Sequence, residues 1–158
     1  MKDVFISPTK GKMSFEVMFD DLVKYINEEP DHKCKLIIGT DSHTRDDLCF
    51  VTAVVVHRVG KGARYYYKKR TQRKVTSLRQ KIFYETSLSL AVAGRLAEML
   101  ALRGVARAEV EIHLDVGEKG ETRDLIKEIV GMVVGSGFDA KIKPDSYGAS
   151  KVADKHTK

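Results

Sequence analysis

Residues 35–43 read KLIIGTDSH, a short apolar run followed by a glycine, a threonine and an acid. A continuous apolar run of this length is typical of a central strand that is covered on both faces. Asp41 stands where the run ends, and a buried carboxylate is costly unless it is paired. The plain alternative is that Asp41 caps a turn with Ser42 and His43. The interpretation therefore depends on whether other acids reach the same place.

The composition is typical of a soluble globular protein. The chain has 158 residues, 42% of them hydrophobic and 32% charged, and this length predicts a single domain over residues 1–158. No run approaches the roughly 18 apolar residues of a membrane span, and the amino end is too polar for a signal peptide. Cys34 and Cys49 lack metal-type spacing, which favours free thiols in a reducing cytoplasm over a disulfide.

The pattern of apolar residues predicts a helix, then the order βββαβαβ, then a terminal helix or tail. The predicted helices cover about residues 14–29, with Ser14 as the N-cap, and then 76–102, 122–136 and 149–156. The predicted strands are residues 35–41, 48–58, 63–71, 107–114 and 139–143. The first three should form an antiparallel meander, with the charged third strand at a sheet edge or on an exposed face. Strands reached through helices should pair in parallel.

Three acids occupy comparable places in this order of elements. Asp41 ends the first strand, Asp115 ends the fourth, and Glu85 lies within an apolar stripe of the long helix. If the first and fourth strands are parallel neighbours, both aspartates emerge at the carboxyl edge of the sheet, where α/β folds place their sites. Asp145, in the turn after the fifth strand, would add another carboxylate. The alternatives are a loop acid for Asp115, an ordinary turn for Asp145 and a solvated helix residue for Glu85.

Clustered carboxylates repel one another unless cations neutralise them. Mg²⁺ prefers such oxygen ligands and bridges to phosphate groups. Two ions about 3.5–4 Å apart can activate water and stabilise the leaving oxygen in phosphodiester cleavage. Several acids at one sheet edge therefore indicate a site for divalent metal ions.

Four motifs occur together in the chain: IIGTDSH at 37–43, ET at 85–86, HLDVG at 113–117 and KPDSYGASKVADKHTK at 143–158. In these motifs the chain resembles the ribonuclease H-like superfamily, which includes the RuvC-type resolvases, and most closely a branch typified by bacterial YkuK proteins. The resemblance covers about residues 33–158. It implies an α/β fold with a mixed five-stranded sheet of order 3-2-1-4-5, strand 2 antiparallel, flanked by helices. The helix at about 14–29 would be an N-terminal addition.

The resemblance also implies a nuclease site that binds two ions of Mg²⁺ or Mn²⁺. It assigns Asp41, Glu85 and Asp115 to the superfamily's acids on the first strand, the first core helix and the fourth strand. The superfamily's fourth ligand lies near the start of the last helix, and here Asp145, Asp154 and His156 compete for that role. The expected metal ligands are Asp41, Glu85, Asp115 and Asp145, with Asp154 as a further catalytic acid. Their expected neighbours are Ser42, His43, His113 and His156.

Residues 61–84 contain nine Lys or Arg residues and no acid, in a chain with a net charge of +6. Such a segment can follow a phosphate backbone, and its tyrosines can stack on bases. The alternative is a solvated edge strand, in which lysines discourage strand pairing. The expected nucleic-acid contacts are Arg64, Tyr66, Lys68, Arg70, Arg73 and Lys74.

These observations predict a cytoplasmic metal-dependent nuclease whose partner is RNA, DNA or a hybrid, without a membrane. One alternative is a non-catalytic nucleic-acid-binding module of the same fold, and another is a metal-dependent hydrolase of small phosphoesters. LDVGEKGET at 114–122 also resembles the phosphate loop of actin-like ATPases. That loop normally joins two strands, whereas here a helix follows, and those enzymes need a second domain that this length cannot supply.

Overall fold

The structure is a computed structural model. It describes residues 3–44, 48–72, 77–105, 108–118, 120–143, 145–146, 152–153 and 155–156. Its strands are β1 (Phe5–Ser7), β2 (Gly11–Met13), β3 (Cys34–Thr44), β4 (Leu48–Arg58), β5 (Ala63–Gln72), β6 (Ala108–Gly117) and β7 (Asp139–Lys143). Its helices are α1 (Phe15–Asn27), α2 (Leu78–Leu102) and α3 (Ile126–Gly135), and a 3-10 turn at Arg123–Leu125 precedes α3.

The seven strands form one mixed sheet in the order β2-β1-β5-β4-β3-β6-β7. Strands β3, β4 and β5 form the predicted antiparallel meander, and β6 and β7 pair in parallel. The predicted α/β class is confirmed, and the five strands β3 to β7 stand in the predicted order. The expected strand count is corrected by the amino-terminal hairpin of β1 and β2, whose strands of three residues each are too short to give a periodic signal.

The amino-terminal hairpin also changes the position of β5. Ile6 of β1 pairs with Tyr67, so the middle of β5 is not the open sheet edge that its charge suggested. β3 and β6, which carry Asp41 and Asp115, extend further than predicted at their carboxyl ends. β3 continues past Asp41 because Ser42 and His43 pair with Phe50 and Cys49 of β4. Asp41 therefore lies within a strand rather than at its end.

The helices begin where polar caps are available. Ser14 Oγ accepts a hydrogen bond from the backbone N–H of Val17 at 3.2 Å at the start of α1. Ser77 Oγ accepts one from Gln80 at 3.3 Å at the start of α2. These caps satisfy backbone donors that have no partner within the helix.

The sheet has two different faces. The three helices pack on one of them, here called the helix face, where they bury a large apolar core that includes Phe19, Ile38, Leu96, Ile112 and Ile129. The opposite face, here called the far face, carries a smaller cluster of Ile37, Val51, Ala53 and Val55, which Ala153 contacts. Because side chains alternate along a strand, consecutive residues of β3 belong to different faces.

None of the helices in the described part of the chain combines the length and the apolar character that a bilayer span requires. Cys34 and Cys49 are both free thiols, as predicted.

Candidate active site

Asp41 and Asp115 lie on neighbouring parallel strands. The register of β3 and β6 pairs Gly39 with His113, and each aspartate follows two residues later on its own strand. Asp41 shares the far face with Gly39. The pairing of β6 with β7 shifts between His113 and Gly117, but Leu114 and Val116 pack in the helix-face core and Asp115 pairs with Lys143, so Asp115 also belongs to the far face, although it borders a small cavity with Glu85. Asp41 and Asp115 are both partly exposed, which keeps the edge accessible to a ligand.

Glu85 reaches the same edge from the helix face. It lies on α2, is 4% exposed, and its Oε2 accepts a hydrogen bond from Ser42 Oγ at 2.5 Å. Burial and the negative charges of Asp41 and Asp115 raise the pKa of Glu85 to about 8, although the bond from Ser42 and the charge of Lys81 act in the opposite direction. The structure therefore brings the three predicted carboxylates within electrostatic reach of one another.

The three carboxylates nevertheless approach the edge from two sides. Ser42 and Asp41 are consecutive residues of one strand, so their side chains lie on opposite faces. Glu85 is bonded to Ser42 on the helix face, while Asp115 Oδ1 on the far face pairs with Lys143 Nζ at 2.7 Å. Within the described ranges, no three His, Cys, Asp or Glu side chains are grouped closely enough to hold one metal ion. The sequence predicted the acids but gave no sign of this separation.

Buried hydroxyl groups hold α2 against β3 next to Glu85. Thr40 Oγ1 lies 2.8 Å from Ser89 Oγ and 3.0 Å from Thr52 Oγ1, and all three side chains are almost fully buried. Thr40 precedes Asp41 on the strand, and Ser89 follows Glu85 by about one helical turn. This network links the positions of the strand acid and the helix acid. The sequence analysis missed it because hydroxyl residues carry no periodic signal of their own.

Asp145 and His113 border a separate groove on the far face. This groove has a volume of about 440 Å³, and its lining includes Glu111, His113 and the exposed Asp145. His113 Nε2 lies 2.8 Å from Glu111 Oε1, and both side chains are buried. Glu111 was not predicted as a site residue, although the alternation of β6 places it on the same face as His113.

The remaining predicted neighbours of the ligands have different surroundings. Ser42 contacts Glu85 directly. His43 is partly exposed on β3 opposite Cys49. His156 is stacked on Tyr67 rather than grouped with the carboxylates. Asp154, predicted as a catalytic acid, lies outside the described residues.

The predicted nucleic-acid contacts divide into two groups. Arg64 pairs with Asp21 at 3.3 Å, and Tyr66, fully buried, donates a hydrogen bond to the same carboxylate. Lys68 pairs with Asp3 at 3.4 Å. These three residues belong to the helix face, and Tyr66 in particular is placed where no base can reach it, which corrects its predicted role. The physical reason is Asp21 of α1, whose partners could not be read from the sequence.

Arg70 and its neighbour Lys69, which the sequence analysis did not single out, are exposed. Neither pairs with a carboxylate of the described residues. Lys69 is aligned with Val51, and Val51 with Asp41, so the end of β5 that carries these cations lies at the same sheet edge as the acids. Arg73 and Lys74, which follow, lie outside the described residues.

Two comparisons with known proteins agree with this architecture. The profile of the family described as Ribonuclease H-like matches residues 17–158. A Bacillus subtilis (strain 168) protein named "Uncharacterized protein YkuK" is 38% identical over 167 aligned residues, which cover 98% of this chain and 97% of the relative. No solved structure matches the chain significantly.

Proposed function

The chain belongs to the ribonuclease H-like family, in the branch of the Bacillus subtilis YkuK protein, and on this premise we propose that it is a nuclease that depends on Mg²⁺ or Mn²⁺. The reaction is hydrolysis of phosphodiester bonds in a nucleic acid. One observation carries the proposal: Asp41 and Asp115, on neighbouring strands, lie close to the buried carboxyl group of Glu85, whose pKa is raised first by burial and then by these two charges. When all three carboxyl groups at this sheet edge are ionised they repel one another, and a divalent cation bound between them would offset that repulsion.

The chemistry of these side chains fits a divalent ion with a preference for oxygen ligands. Asp41, Glu85 and Asp115 offer only carboxylate oxygens, which suit Mg²⁺ and Mn²⁺ better than softer metals. The ammonium group of Lys143 already neutralises Asp115 and would have to yield to the ion. Asp145, which borders the separate groove of Glu111 and His113, stays only a predicted fourth ligand.

A bound divalent ion would supply Lewis-acid activation of the phosphodiester and of the attacking water. The chain's own residues prepare the site for it. Ser42 donates to Oε2 of Glu85, which leaves Oε1 to carry a proton or to face a cation. Because burial and two aspartates raise the pKa of Glu85 to about 8, this group is mainly protonated at pH 7 until a cation stabilises its charge.

The exposed end of β5 supports a nucleic-acid substrate. Lys69 stands two strands away from Asp41 in the same row of the sheet, which corresponds to about 10 Å at the usual strand spacing. Lys69 and Arg70 lack carboxylate partners among the described residues, so they are free to contact phosphates. A nucleic-acid strand whose phosphates contact these cations would lie beside the carboxylates.

The arrangement at Asp115 favours one second candidate, a nucleic-acid-binding module without catalysis. Lys143 satisfies the Asp115 carboxylate at 2.7 Å, and no described group of three ligands is assembled on one face. In such a module the basic end of β5 would bind nucleic acid and the acids would have no metal to hold.

A cleavage assay separates the two candidates. Labelled single-stranded RNA, single-stranded DNA, duplex, hybrid and four-way junction substrates are incubated with the protein in Mn²⁺ or in EDTA. We expect Mn²⁺-dependent cleavage of at least one substrate, and its loss in both Asp41→Asn and Asp115→Asn. Even outer partners of metal ligands cost about 10- to 100-fold when mutated, so loss of a ligand should exceed that range.

Asp139→Asn is the matched control, because Asp139 is an exposed aspartate of the edge strand β7. It should cleave at the wild-type rate. Full activity in Asp41→Asn or Asp115→Asn would refute the site, and binding without cleavage in the wild type would favour the non-catalytic module.

A further inference from the structure

Three aromatic rings form a connected group on the far face, near the end of β5. The rings of Tyr67 and His156 are stacked, with centroids 3.8 Å apart and planes inclined by 12°. Tyr65 lies beside them, with its centroid 6.4 Å from that of Tyr67 and its hydroxyl 3.1 Å from His156 Nε2. All three residues are partly exposed. We call Tyr65, Tyr67 and His156 the aromatic platform.

Two cations flank the aromatic platform. Lys69 follows Tyr67 by two residues on β5 and so shares its face, and Lys155 precedes His156 in the chain. Burial and the charges of Lys155 and Lys69 lower the pKa of His156, which places both ammonium groups near the ring. Neither lysine pairs with a carboxylate of the described residues, whereas Lys68, on the other face of β5, pairs with Asp3.

The aromatic platform also adjoins the carboxylate site. Tyr67 is aligned with Ala53, and Ala53 with Gly39 on β3. Asp41 lies two residues beyond Gly39, in the row that ends in Lys69. A few nucleotides of a single strand that crosses the sheet edge at Asp41 can therefore reach the rings.

We propose that the aromatic platform, with Lys69 and Lys155, binds an unpaired base and its adjoining phosphates in a single-stranded segment of the substrate. The inference rests on the proposed function, since it concerns the strand that crosses the carboxylate site. Aromatic rings accept any base because every base has a π-face, and flanking cations hold the phosphates. A base within a duplex is stacked on both sides and cannot use the rings. The protein should therefore favour single-stranded segments over continuous duplex.

The test measures binding of fluorescein-labelled 12-nucleotide single strands and of the matching duplex by fluorescence anisotropy in EDTA. His156→Ala removes the stacked ring, and we expect it to weaken single-strand binding by about 5- to 150-fold, the range expected for one stacked base. Duplex binding should change by less than about twofold. His156→Phe keeps a ring for stacking but loses the bond to Tyr65, and it should bind single strands like the wild type.

His57→Ala is the control, because His57 is a partly exposed histidine of β4 that lies outside the aromatic platform. A single strand with 5-iodouracil gives a second measurement, since light should crosslink it to Tyr67 or His156. Equal losses in His156→Ala and His156→Phe would mean that the hydrogen bond to Tyr65, and not a ring for stacking, supports binding, and would overturn the inference. Crosslinks found only at other residues would also overturn it.

The outcomes distinguish this inference from the proposed function. If His156→Ala binds single strands as tightly as the wild type while Mn²⁺-dependent cleavage persists, only the aromatic platform is refuted. If the wild type binds no nucleic acid in EDTA or in Mn²⁺, the proposed function and this inference fail together.

Discussion

At Glu85, burial and two neighbouring aspartates act against ionisation, and one hydroxyl group acts for it. The side chain is 4% exposed, its Oε2 is bonded to Ser42 at 2.5 Å, and its pKa is raised from 4.5 to about 8. A carboxyl group of this kind costs stability whenever it is ionised without a cation. That cost is measurable as a dependence of folding on pH.

The free energy of unfolding in EDTA should fall as the pH rises from 5 to 9. Because the folded pKa of Glu85 lies above its unfolded value, the folded state holds an extra proton between them, and this contribution is lost as the pH passes through about 8. One pKa unit corresponds to about 1.4 kcal/mol, so the change is on the order of a few kcal/mol. Glu85→Gln should remove this dependence and be more stable than the wild type at pH 9, as measured by urea unfolding.

Glu98→Gln is the matched control, since Glu98 is an exposed glutamate of the same helix. It should keep the pH dependence of the wild type. If the stability of Glu85→Gln has the same pH dependence as that of the wild type, the pKa of Glu85 is not raised in the folded protein.

The sequence was enough to predict the three acids and Ser42 as a neighbour, but not which group each acid contacts. Asp41, Glu85 and Asp115 were identifiable because each occupies a fixed place in a strand or a helical stripe. Lys143 and Ser42 contact two of these acids through the fold, and no spacing in the sequence indicates which lysine meets Asp115. The approach of Glu85 from the other face of the sheet likewise depends on how α2 lies across β3.

In β5, the cations near the start of the strand are paired with carboxylates, and those near its end are exposed. Burial would raise the pKa of Asp21, but hydrogen bonds from Lys10 and Tyr66 and the charges of Arg64 and Lys10 lower it. Arg64 and Tyr66 are therefore committed to fixing α1 on the sheet. Lys69 and Arg70, further along the strand, remain open to an external partner.

The consecutive residues Lys68 and Lys69 provide a matched pair of mutations. Lys69→Ala should weaken binding of a single-stranded oligonucleotide and reduce the slope of log affinity against log salt by about 0.7, the loss of one phosphate contact. Lys68→Ala should leave both quantities close to wild type, because Lys68 is paired with Asp3. The measurement is anisotropy at several salt concentrations. Equal effects of the two mutations would contradict this division between paired and exposed cations of β5.

Most of the elements were predictable from their apolar patterns. β4 and β7 have the predicted ends, and α1 and α2 differ from the prediction by one or two residues at their ends. The hairpin of β1 and β2 was not predictable, because its pairing depends on the edge of β5 rather than on its own few residues. The extension of β3 was missed because Ser42 and His43 are polar, and their pairing with β4 is a property of the hairpin.

In the whole molecule, the carboxylates and the exposed cations Lys69 and Arg70 lie at one end of the sheet. β3 and β6 end there in parallel, and antiparallel pairing through β4 brings the end of β5 to the same edge. A net charge of +6 alone would not indicate a site. The proposed metal binding and nucleic-acid binding are linked because exposed cations at the end of β5 lie at the same sheet edge as the carboxylates.

The central claim, that Asp41, Glu85 and Asp115 form one divalent-ion site, is tested most directly by titrating Mn²⁺ into the protein in a calorimeter at pH 7. Two buffers of different ionisation enthalpy reveal proton release. We expect Mn²⁺ to bind with release of about one proton, because Glu85 must ionise when the ion binds. We also expect Asp115→Asn to lose Mn²⁺ binding and Asp139→Asn to keep it. Undiminished Mn²⁺ binding by Asp115→Asn, or no binding by the wild type, would contradict the central claim.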